Sequence, residues 1–207
     1  MKTTRILIFA KAPLAGFAKT RLIPVLGAEG AAALAQQMLL HTVQAALDSG
    51  VGTVELCVTP AIEEAAWHDI ALPQGLVISA QGSGDLGARM ARAAQCAIAG
   101  GERVVLIGTD CVEMSGELLR TAAQALHNND AVIHCTLDGG YALLGLRQFS
   151  DFLFRDIPWS SDVVASMTLN KLGQLHWSVQ VGAILHDVDE PQDLKLLPLY
   201  WKSYVAA

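Results

Sequence analysis

The first candidate site in the sequence is a loop that carries three cationic side chains. Lys11, Lys19 and Arg21 follow a short apolar run, in a chain that is acidic overall. Lysine ammonium groups act as point charges towards phosphate, whereas an arginine guanidinium can hold two phosphate oxygens at once. Gly16 lets the backbone approach a ligand, and a nearby helix start adds positive potential. The loop is therefore predicted to bind phosphate, and the alternative is a solvated basic loop.

A second set of candidates consists of carboxylates at the ends of strand-like segments. Asp110 follows the strongly apolar run 103–107. Asp187 and Asp189 point to one face if their segment is extended. Oxygen ligands of this kind suit Mg²⁺ or Mn²⁺, which could bridge to phosphates held by the basic loop. Asp189 also has a competing interpretation as a helix cap, because Asp189-x-x-Gln192 has the form of a capping box.

A glycine-rich segment, Gly82-Ser-Gly84-Asp-Leu-Gly87, matches the pattern G-x-G-x-x-G between a predicted strand and a predicted helix. In a dinucleotide-binding fold this pattern brings a pyrophosphate to the start of the helix. Asp85 would place a carboxylate where the pyrophosphate should lie. The alternative interpretation is that Asp85 is the N-cap of the following helix.

The segment Asp138-Gly139-Gly140-Tyr141 has the composition of a turn. A turn requires one glycine at most, so the second glycine suggests a backbone that passes close to a ligand. We expect this turn to contact the transferred group or the acceptor, with the Asp138 carboxylate facing the pocket in a catalytic role. A plain joint between two strands is the structural alternative.

All these candidates follow apolar segments that alternate with helical ones. The alternation predicts an α/β fold with three α/β/α layers around a mostly parallel, Rossmann-like sheet. The short joint at 138–140 predicts one antiparallel strand. Ligands of such sheets bind beyond the carboxyl ends of the strands, where the candidates lie. The predicted strands are Ile6–Ala10, Val54–Val58, Leu76–Ser79, Arg103–Ile107, Ala131–Ile133, Tyr141–Leu146 and His176–Val181, and the predicted helices are 28–49, 61–68, 85–99, 116–127 and one from Ser160 or Ser161 to Leu172.

Length and composition limit the classes of protein that need to be considered. A chain of 207 residues is expected to form a single domain over residues 1–207. Its formal net charge of −6 argues against nonspecific binding to nucleic acid or to an anionic membrane surface. The four cysteines form no C-x-x-C pair, and the apolar run Ile6–Ala10 is too short for a signal-peptide core. We therefore expect a cytoplasmic protein with reduced thiols.

Taken together, the motifs resemble those of a bacterial family. In order they read Lys-x-Pro-x-x-Gly-x-x-Lys-Thr-Arg-Leu, Gly-Asp-Leu-Gly-x-Arg-Met, Gly-Thr-Asp, Asp-Gly-Gly-Tyr-x-Leu-x-Gly-Leu, Trp-Ser-Ser and Asp-Val-Asp-x-x-x-Asp-Leu. This pattern runs from Lys11 to Leu194 and is similar to that of DUF2064, also called radical-SAM/selenodomain-associated transferase 1. That group belongs with GT-A-fold nucleotide-diphospho-sugar transferases, near the molybdenum-cofactor and phospholactate guanylyltransferases.

The resemblance implies a GT-A sheet that binds a nucleotide or nucleotide-sugar together with a divalent metal. It places Lys11, Gly16, Lys19 and Arg21 in the phosphate-binding loop. It implies that a metal ion, Mg²⁺ or Mn²⁺, is bound by the carboxylates of Asp110, Asp187 and Asp189. It also assigns the segment 82–87 to the nucleoside side of the pocket.

The function expected on this basis is metal-dependent transfer of a nucleotidyl or glycosyl group to a small-molecule acceptor. In nucleotidyl transfer, Lys19 and Arg21 would stabilise the leaving pyrophosphate. In glycosyl transfer, a metal ion at Asp110 would stabilise the leaving nucleoside diphosphate. Two alternatives stay open: an NAD(P)-dependent oxidoreductase that uses Gly82–Gly87, and a nucleotide-binding accessory protein without turnover. Departures from the family pattern near Cys111 and His134 favour the second of these. The acceptor and the oligomeric state are left open.

Overall fold

Seven strands and four helices alternate along the chain in a computed structural model, which describes residues 3–201. The strands are β1 (Thr4–Lys11), β2 (Val54–Thr59), β3 (Leu76–Ala80), β4 (Arg103–Ile107), β5 (Ala131–Cys135), β6 (Tyr141–Leu146) and β7 (Val179–Val181). The helices are α1 (Ile23–Ser49), α2 (Leu86–Ala99), α3 (Gly116–Ala125) and α4 (Val164–Gln174).

The strands form one sheet in the order β3-β2-β1-β4-β6-β5-β7. Strand β6 runs antiparallel to both of its neighbours, β4 and β5, and all other pairs are parallel. The joint between β5 and β6 is too short for a crossover, so these strands pair as a hairpin. The predicted mostly parallel sheet with one antiparallel strand is therefore confirmed.

The core lies on both faces of the sheet. In β1, Ile6 and Ile8 pack in one cluster with side chains of α1 and α3. Leu7, which points the other way, packs in a second cluster with α2 and α4. A strand that is buried on both faces needs apolar residues at every position, which explains the unbroken apolar runs of β1 and β4. The layers are helices, sheet and helices, as the sequence predicts.

Helix α1 departs most from the predicted boundaries. It begins before the expected Ala28, because Pro24 fits the first turn of a helix, where its missing N–H needs no partner. The helix then crosses Gly27, whose backbone is non-helical (φ 70°, ψ 168°), and is kinked there. The predicted C-cap is confirmed at Gly50, which adopts a left-handed φ of 62°.

The segment from Thr20 to Ser49 has the length and composition of a helix that could cross a membrane. Core helices of globular domains meet the same criterion. In this fold Leu39 and Val43 of α1 are buried against the sheet, which accounts for the apolar composition of the helix.

Three further predictions about helices and strands were wrong. Helix α4 begins at Val164 without a side-chain cap, because Ser160 adopts a left-handed φ of 66° and cannot start the helix. The expected helix at 61–68 is only a short 3-10 turn, Ala65–Trp67. Strand β7 lacks the first residues of the predicted strand, because His176 also has a left-handed φ, of 55°.

The capping box near residue 190 is formed by different residues from those predicted. Glu190 is the N-cap. Its side chain accepts the backbone N–H of Asp193, and the Asp193 side chain accepts the backbone N–H of Glu190. Gln192 takes no part in this box. The carboxylate of Asp189 is consequently not needed as a cap, and it is directed to a contact with the basic loop.

Candidate active site

A cleft of about 940 Å³ lies at the edge of the sheet where β1 and β4 end and β6 begins. Its walls come from the β1–α1 loop, Gln81 and the start of α2, the β4–α3 loop, the β5–β6 turn, the segment before α4 and the segment 187–189. Because β6 runs antiparallel to β4, it contributes its first residues, whereas the parallel strands β1 and β4 contribute their last ones. The cleft thus occupies the position where open α/β sheets bind ligands.

The side chain of Lys19 lies at the centre of this cleft, between two carboxylates. Its Nζ donates a hydrogen bond of 2.8 Å to Asp189 Oδ1 and another to Asp110 Oδ1, and only 6% of the side chain is exposed. Burial alone would lower the pKa of Lys19. The charges of Asp110 and Asp189 outweigh this effect and raise the pKa above its ordinary value. Lys19 is therefore held as a cation.

Carboxylates outnumber cations around this lysine. Burial, followed by the charges of Asp110, Asp138 and Asp189, raises the pKa of Asp187 to about 7, against the lowering effect of Lys19. The three predicted metal ligands and Asp138 all line the cleft. Two of them, Asp110 and Asp189, contact the Lys19 ammonium directly.

The chemistry of these side chains fits a divalent cation of the Mg²⁺ or Mn²⁺ type, since all are hard oxygen donors with surplus negative charge. Their arrangement is different from a closed metal site. Within residues 3–201, no three His, Cys, Asp or Glu side chains are close enough to hold one ion. The Lys19 ammonium instead lies between Asp110 and Asp189. An ion at these carboxylates requires the ammonium to move away.

The other cations of the basic loop have no such partners. Lys11 and Arg21 line the cleft, and the Arg21 side chain is 70% exposed, with Nη1 3.7 Å from Glu190 Oε1. Gly16 does not line the cleft but adopts a left-handed φ of 80° within the loop. Its contribution is the bend of the loop, while Lys11 and Arg21 are accessible to a ligand.

The turn at 138–140 presents Asp138 to the cleft. Asp138 Oδ1 accepts hydrogen bonds from the Thr136 hydroxyl and, at 3.0 Å, from the Gly140 N–H. These bonds are those of an Asx-type turn. Among the described residues, Oδ2 has no hydrogen-bond partner. One carboxylate oxygen thus shapes the turn, and the other is left for a ligand.

The paired glycines of this turn have local explanations. A Cβ on Gly139, whose φ is 87°, would lie 2.0 Å from the carbonyl oxygen of Asp162. One on Gly140 would lie 3.1 Å from Thr136 Oγ1 and 3.2 Å from Asp138 Oδ1. The close contact is therefore with the segment before α4, and the second glycine by itself does not indicate a ligand. Gly140 and Tyr141 line the cleft, whereas Gly139 does not.

The glycine-rich segment 82–87 is not arranged as a pyrophosphate site. It follows β3 at the edge of the sheet. Asp85 caps α2 by accepting the N–H of Ala88 at 2.8 Å, so a carboxylate lies at the helix start. Arg89 binds the carbonyl of Gly84, and Arg92 binds that of Ser83. Gly82 and Asp85 do not line the cleft, although Leu86 of the same segment does. The carboxylate at the helix start argues physically against the dinucleotide interpretation.

Several cleft residues escaped the sequence reasoning. Phe17 is 67% exposed within the basic loop, although aromatic side chains usually bury a large apolar area. Trp159 and Asp162 line the wall beside the 138–140 turn. The Trp-Ser-Ser motif, residues 159–161, was the available signal for this wall, but no chemistry could be assigned to it from the sequence.

A family model matches residues 42–161 of this chain, more than half of its length, and describes an uncharacterized protein conserved in bacteria (DUF2064). The chain belongs to the DUF2064 family. The matched region of the DUF2064 chain contains Asp110, the 138–140 turn and Trp159, whereas the basic loop and the segment 187–189 lie outside it. The chain matches no protein of curated function.

Solved structures extend the similarity to nearly the whole DUF2064 chain. A proposed nucleotide-diphospho-sugar transferase from Desulfovibrio desulfuricans G20 is 32% identical, with a TM-score of 0.88, and the match covers 98% of this chain and 89% of the other. CMP:2-keto-3-deoxy-manno-octonic acid synthetase, solved with CTP, is 12% identical with a TM-score of 0.59 and coverages of 94% and 96%.

Rv0371c from Mycobacterium tuberculosis H37Rv, solved with manganese, is 16% identical to the DUF2064 chain, with a TM-score of 0.53 and coverages of 95% and 98%. At 16% and 12% identity, the similarities to Rv0371c and to the synthetase show only that the fold is shared. The fold is a mixed α/β, mostly parallel seven-stranded sheet like that of nucleotidyltransferases and GT-A proteins.

Proposed function

We propose that this protein is a metal-dependent transferase. It binds a nucleoside triphosphate or a nucleotide-sugar in the cleft and passes the nucleotidyl or glycosyl group to a small-molecule acceptor. The observation that carries the proposal is the meeting of Lys19 with Asp110 and Asp189 at the carboxyl edge of the sheet. The CTP bound to the synthetase and the manganese bound to Rv0371c support it through the shared fold.

The basic loop is the part of the site that stabilises the leaving group. Both versions of the reaction release a phosphate group with negative charge, pyrophosphate in one case and a nucleoside diphosphate in the other. Arg21 is exposed and able to grip two phosphate oxygens, and Lys11 adds a point charge. Cations placed where negative charge develops lower the barrier more than they favour binding of the ground state.

Asp110, Asp187 and Asp189 are the residues that would hold the divalent ion. When bound, Mg²⁺ or Mn²⁺ supplies Lewis-acid stabilisation of the leaving phosphate. Burial, and after it the charges of the neighbouring carboxylates, raises the pKa of Asp187 to about 7, and added cationic charge would offset both effects. The surplus of carboxylates over cations thus has a functional explanation.

Asp138 is the candidate general base. Its Oδ1 is occupied by two turn hydrogen bonds, and its Oδ2 is available on the cleft side to accept a proton from an acceptor hydroxyl. This role places the acceptor between the 138–140 turn and the basic loop.

The proposal is tested by thermal-shift measurements with CTP and with UDP-glucose, each with and without MnCl₂. We expect at least one of the two nucleotides to raise Tm, with a larger rise when Mn²⁺ is present. Asp110→Asn should remove the metal-dependent part of the rise and retain most of the rest. If neither nucleotide nor metal changes Tm, or if NADH alone stabilises the protein, the transferase proposal is wrong.

Asp138→Asn separates catalysis by the turn from its structural role. Asparagine keeps an Oδ1 that accepts the two turn hydrogen bonds, so the free energy of unfolding should change by no more than about 0.5 kcal/mol. Turnover with the substrate pair found by screening should fall about tenfold or more, because the base is lost. Asp69→Asn, at an exposed carboxylate that does not line the cleft, is the matched control and should keep its turnover. Unchanged turnover in Asp138→Asn would show that the turn is structural.

A further inference from the structure

Two buried polar atoms beside the cleft have no hydrogen-bond partner among the described residues. They are the hydroxyl oxygen of Tyr141 and the indole Nε1 of Trp159. Buried polar side-chain atoms are nearly always paired, because an unpaired one loses its hydrogen bonds to water without replacement. Two such atoms in one wall therefore require an explanation.

Both residues belong to the same wall of the cleft. Tyr141 is the first residue of β6, and Trp159 lies in the segment that leads to α4. Both line the cleft and pack against the core cluster of α2 and α4. Strand β4 separates this wall from β1 and the basic loop. Tyr141 thus lies across β4 from the basic loop, and the indole Nε1 of Trp159 lies against Gly87 at the start of α2, where an added Cβ would be 2.5 Å from it.

The wall containing Tyr141 and Trp159 is acidic. Asp138 and Asp162 line the cleft here, together with one cation of α2, Arg89. The Arg89 guanidinium keeps its charge but is held by Gly84 O and Gln81 Oε1, so carboxylates outnumber cations by two to one. A carboxylate or phosphate ligand would be repelled here, since like charges in a partly desolvated site disfavour each other. A neutral ligand avoids this cost.

The hydrogen-bonding capacity of the two side chains further limits the ligand. An indole N–H can only donate, whereas a tyrosine hydroxyl can donate and accept. Their partner must therefore offer at least one oxygen that accepts a hydrogen bond. Resting on the function proposed above, we propose that Tyr141 and Trp159 form the acceptor subsite, and that the acceptor is a neutral molecule bearing hydroxyl groups.

The segment around Trp159 has the properties that such a subsite needs. Asp156 and Ser160 on either side of it have left-handed φ angles of 51° and 66°, an uncommon conformation for residues other than glycine. Pro158 and Ser160 are exposed. The proposed subsite requires an outward shift of this segment that opens Tyr141 Oη and Trp159 Nε1 to the cleft, so that an acceptor hydroxyl completes their hydrogen bonding.

Indole ¹H–¹⁵N NMR tests the chemical class of the ligand. The full chain, with CTP and Mg²⁺ present, is titrated with glycerol, D-glycerate and glycerol 3-phosphate, three probes that differ mainly in charge. We expect glycerol to shift the Trp159 indole signal and the two anions to shift it at least tenfold less at equal concentration. Trp67 is the internal control, because its Nε1 already donates to Pro60 O at 3.0 Å, and its signal should not move.

Tyr141→Phe tests the second atom without depending on a ligand. It removes only the hydroxyl, so the protein alone should gain about 2–4 °C in Tm as an unpaired buried group is lost. In this variant, the shift of the Trp159 indole signal with glycerol should be about tenfold smaller. The rise in Tm with CTP should stay as in the parent. A Tm decrease in Tyr141→Phe, or no Trp159 response to glycerol while CTP still stabilises the protein, overturns the subsite alone. A Trp159 response without any stabilisation by nucleotide overturns its assignment to an acceptor.

Discussion

Replacing Lys19 with glutamine is expected to weaken the binding of inorganic pyrophosphate and of CTP about 10- to 100-fold, the effect of losing a charge-assisted hydrogen bond. The same change should tighten the binding of Mn²⁺ alone about tenfold. The two effects have opposite signs because Lys19 neutralises Asp110 and Asp189 in the ligand-free protein. A free ion must displace the ammonium from these carboxylates, whereas an arriving phosphate draws it away.

The measurements are calorimetry for pyrophosphate and CTP and electron paramagnetic resonance for free Mn²⁺. In the parent protein, saturating pyrophosphate should raise the affinity for Mn²⁺, and by linkage Mn²⁺ should raise the affinity for pyrophosphate by the same factor. Lys19→Gln should reduce this coupling, because the competing ammonium is gone.

Arg21→Gln is the matched control for Lys19→Gln. Arg21 belongs to the same loop but is 70% exposed and has only a distant partner in Glu190. Its loss should weaken pyrophosphate binding without altering the affinity for free Mn²⁺. Equal Mn²⁺ affinities in the parent and in Lys19→Gln would contradict the competition, and unchanged pyrophosphate binding would remove Lys19 from the phosphate site. The fold should survive, since Asp110 and Asp189 are nearly half exposed.

Gly139→Ala is expected to lower the free energy of unfolding by about 3 kcal/mol or more. Two effects add at this position. A side chain at the left-handed φ of 87° is strained, and the new Cβ would lie 2.0 Å from the backbone oxygen of Asp162. The neighbouring backbone cannot yield easily, because the Ala165 N–H donates to the Gly139 carbonyl at 2.8 Å and ties the turn to the start of α4.

Gly101→Ala is the control for the strain alone. Gly101 has nearly the same φ, 89°, but a Cβ there would meet no atom within 4 Å. Its replacement should destabilise the protein by only about 1 kcal/mol. Urea unfolding of both variants gives the comparison directly. If the two variants lose equal stability, the contact between the turn and Asp162 does not hold the wall in place.

The contact between Gly139 and Asp162 also connects the stability of the protein with its proposed function. The 138–140 turn carries Asp138, and the segment fixed against it carries Trp159 and Asp162. A partial opening of the contact in Gly139→Ala would therefore displace both parts of the proposed acceptor wall. We expect this variant to retain its Tm rise with CTP, relative to its own lower baseline, because the basic loop lies beyond β4.

The order of strands and helices follows from local properties of the sequence. Apolar runs such as Arg103–Ile107 are continuous because their strands are buried on both faces, and β4 and β6 were predicted with their observed bounds. Element starts were predicted less well. Ser160 has the residue type of a helix cap, but its left-handed backbone excludes that role, and backbone angles of this kind are imposed by surrounding contacts.

Residue type and position after a strand were enough to select Lys19, Asp110, Asp138, Asp187 and Asp189, which the structure places around one cleft. The reason is topological, because the carboxyl ends of parallel strands share one edge of the sheet. The same rule selected Gly82 and Asp85, which do not line the cleft, although their neighbours Gln81 and Leu86 do. Their strand, β3, is at the sheet border, and the sequence does not encode strand order locally.

By itself, the sequence determined the α/β class, the mostly parallel sheet with its antiparallel hairpin, and the edge of the sheet at which the candidate residues lie. Only the tertiary structure decided which groups meet there. Lys19 contacts Asp110 and Asp189 across 91 and 170 positions of the chain, and Gly139 is a glycine because of Asp162. Periodicity and propensity act over neighbouring residues, whereas these contacts depend on the order and packing of strands that are distant in sequence.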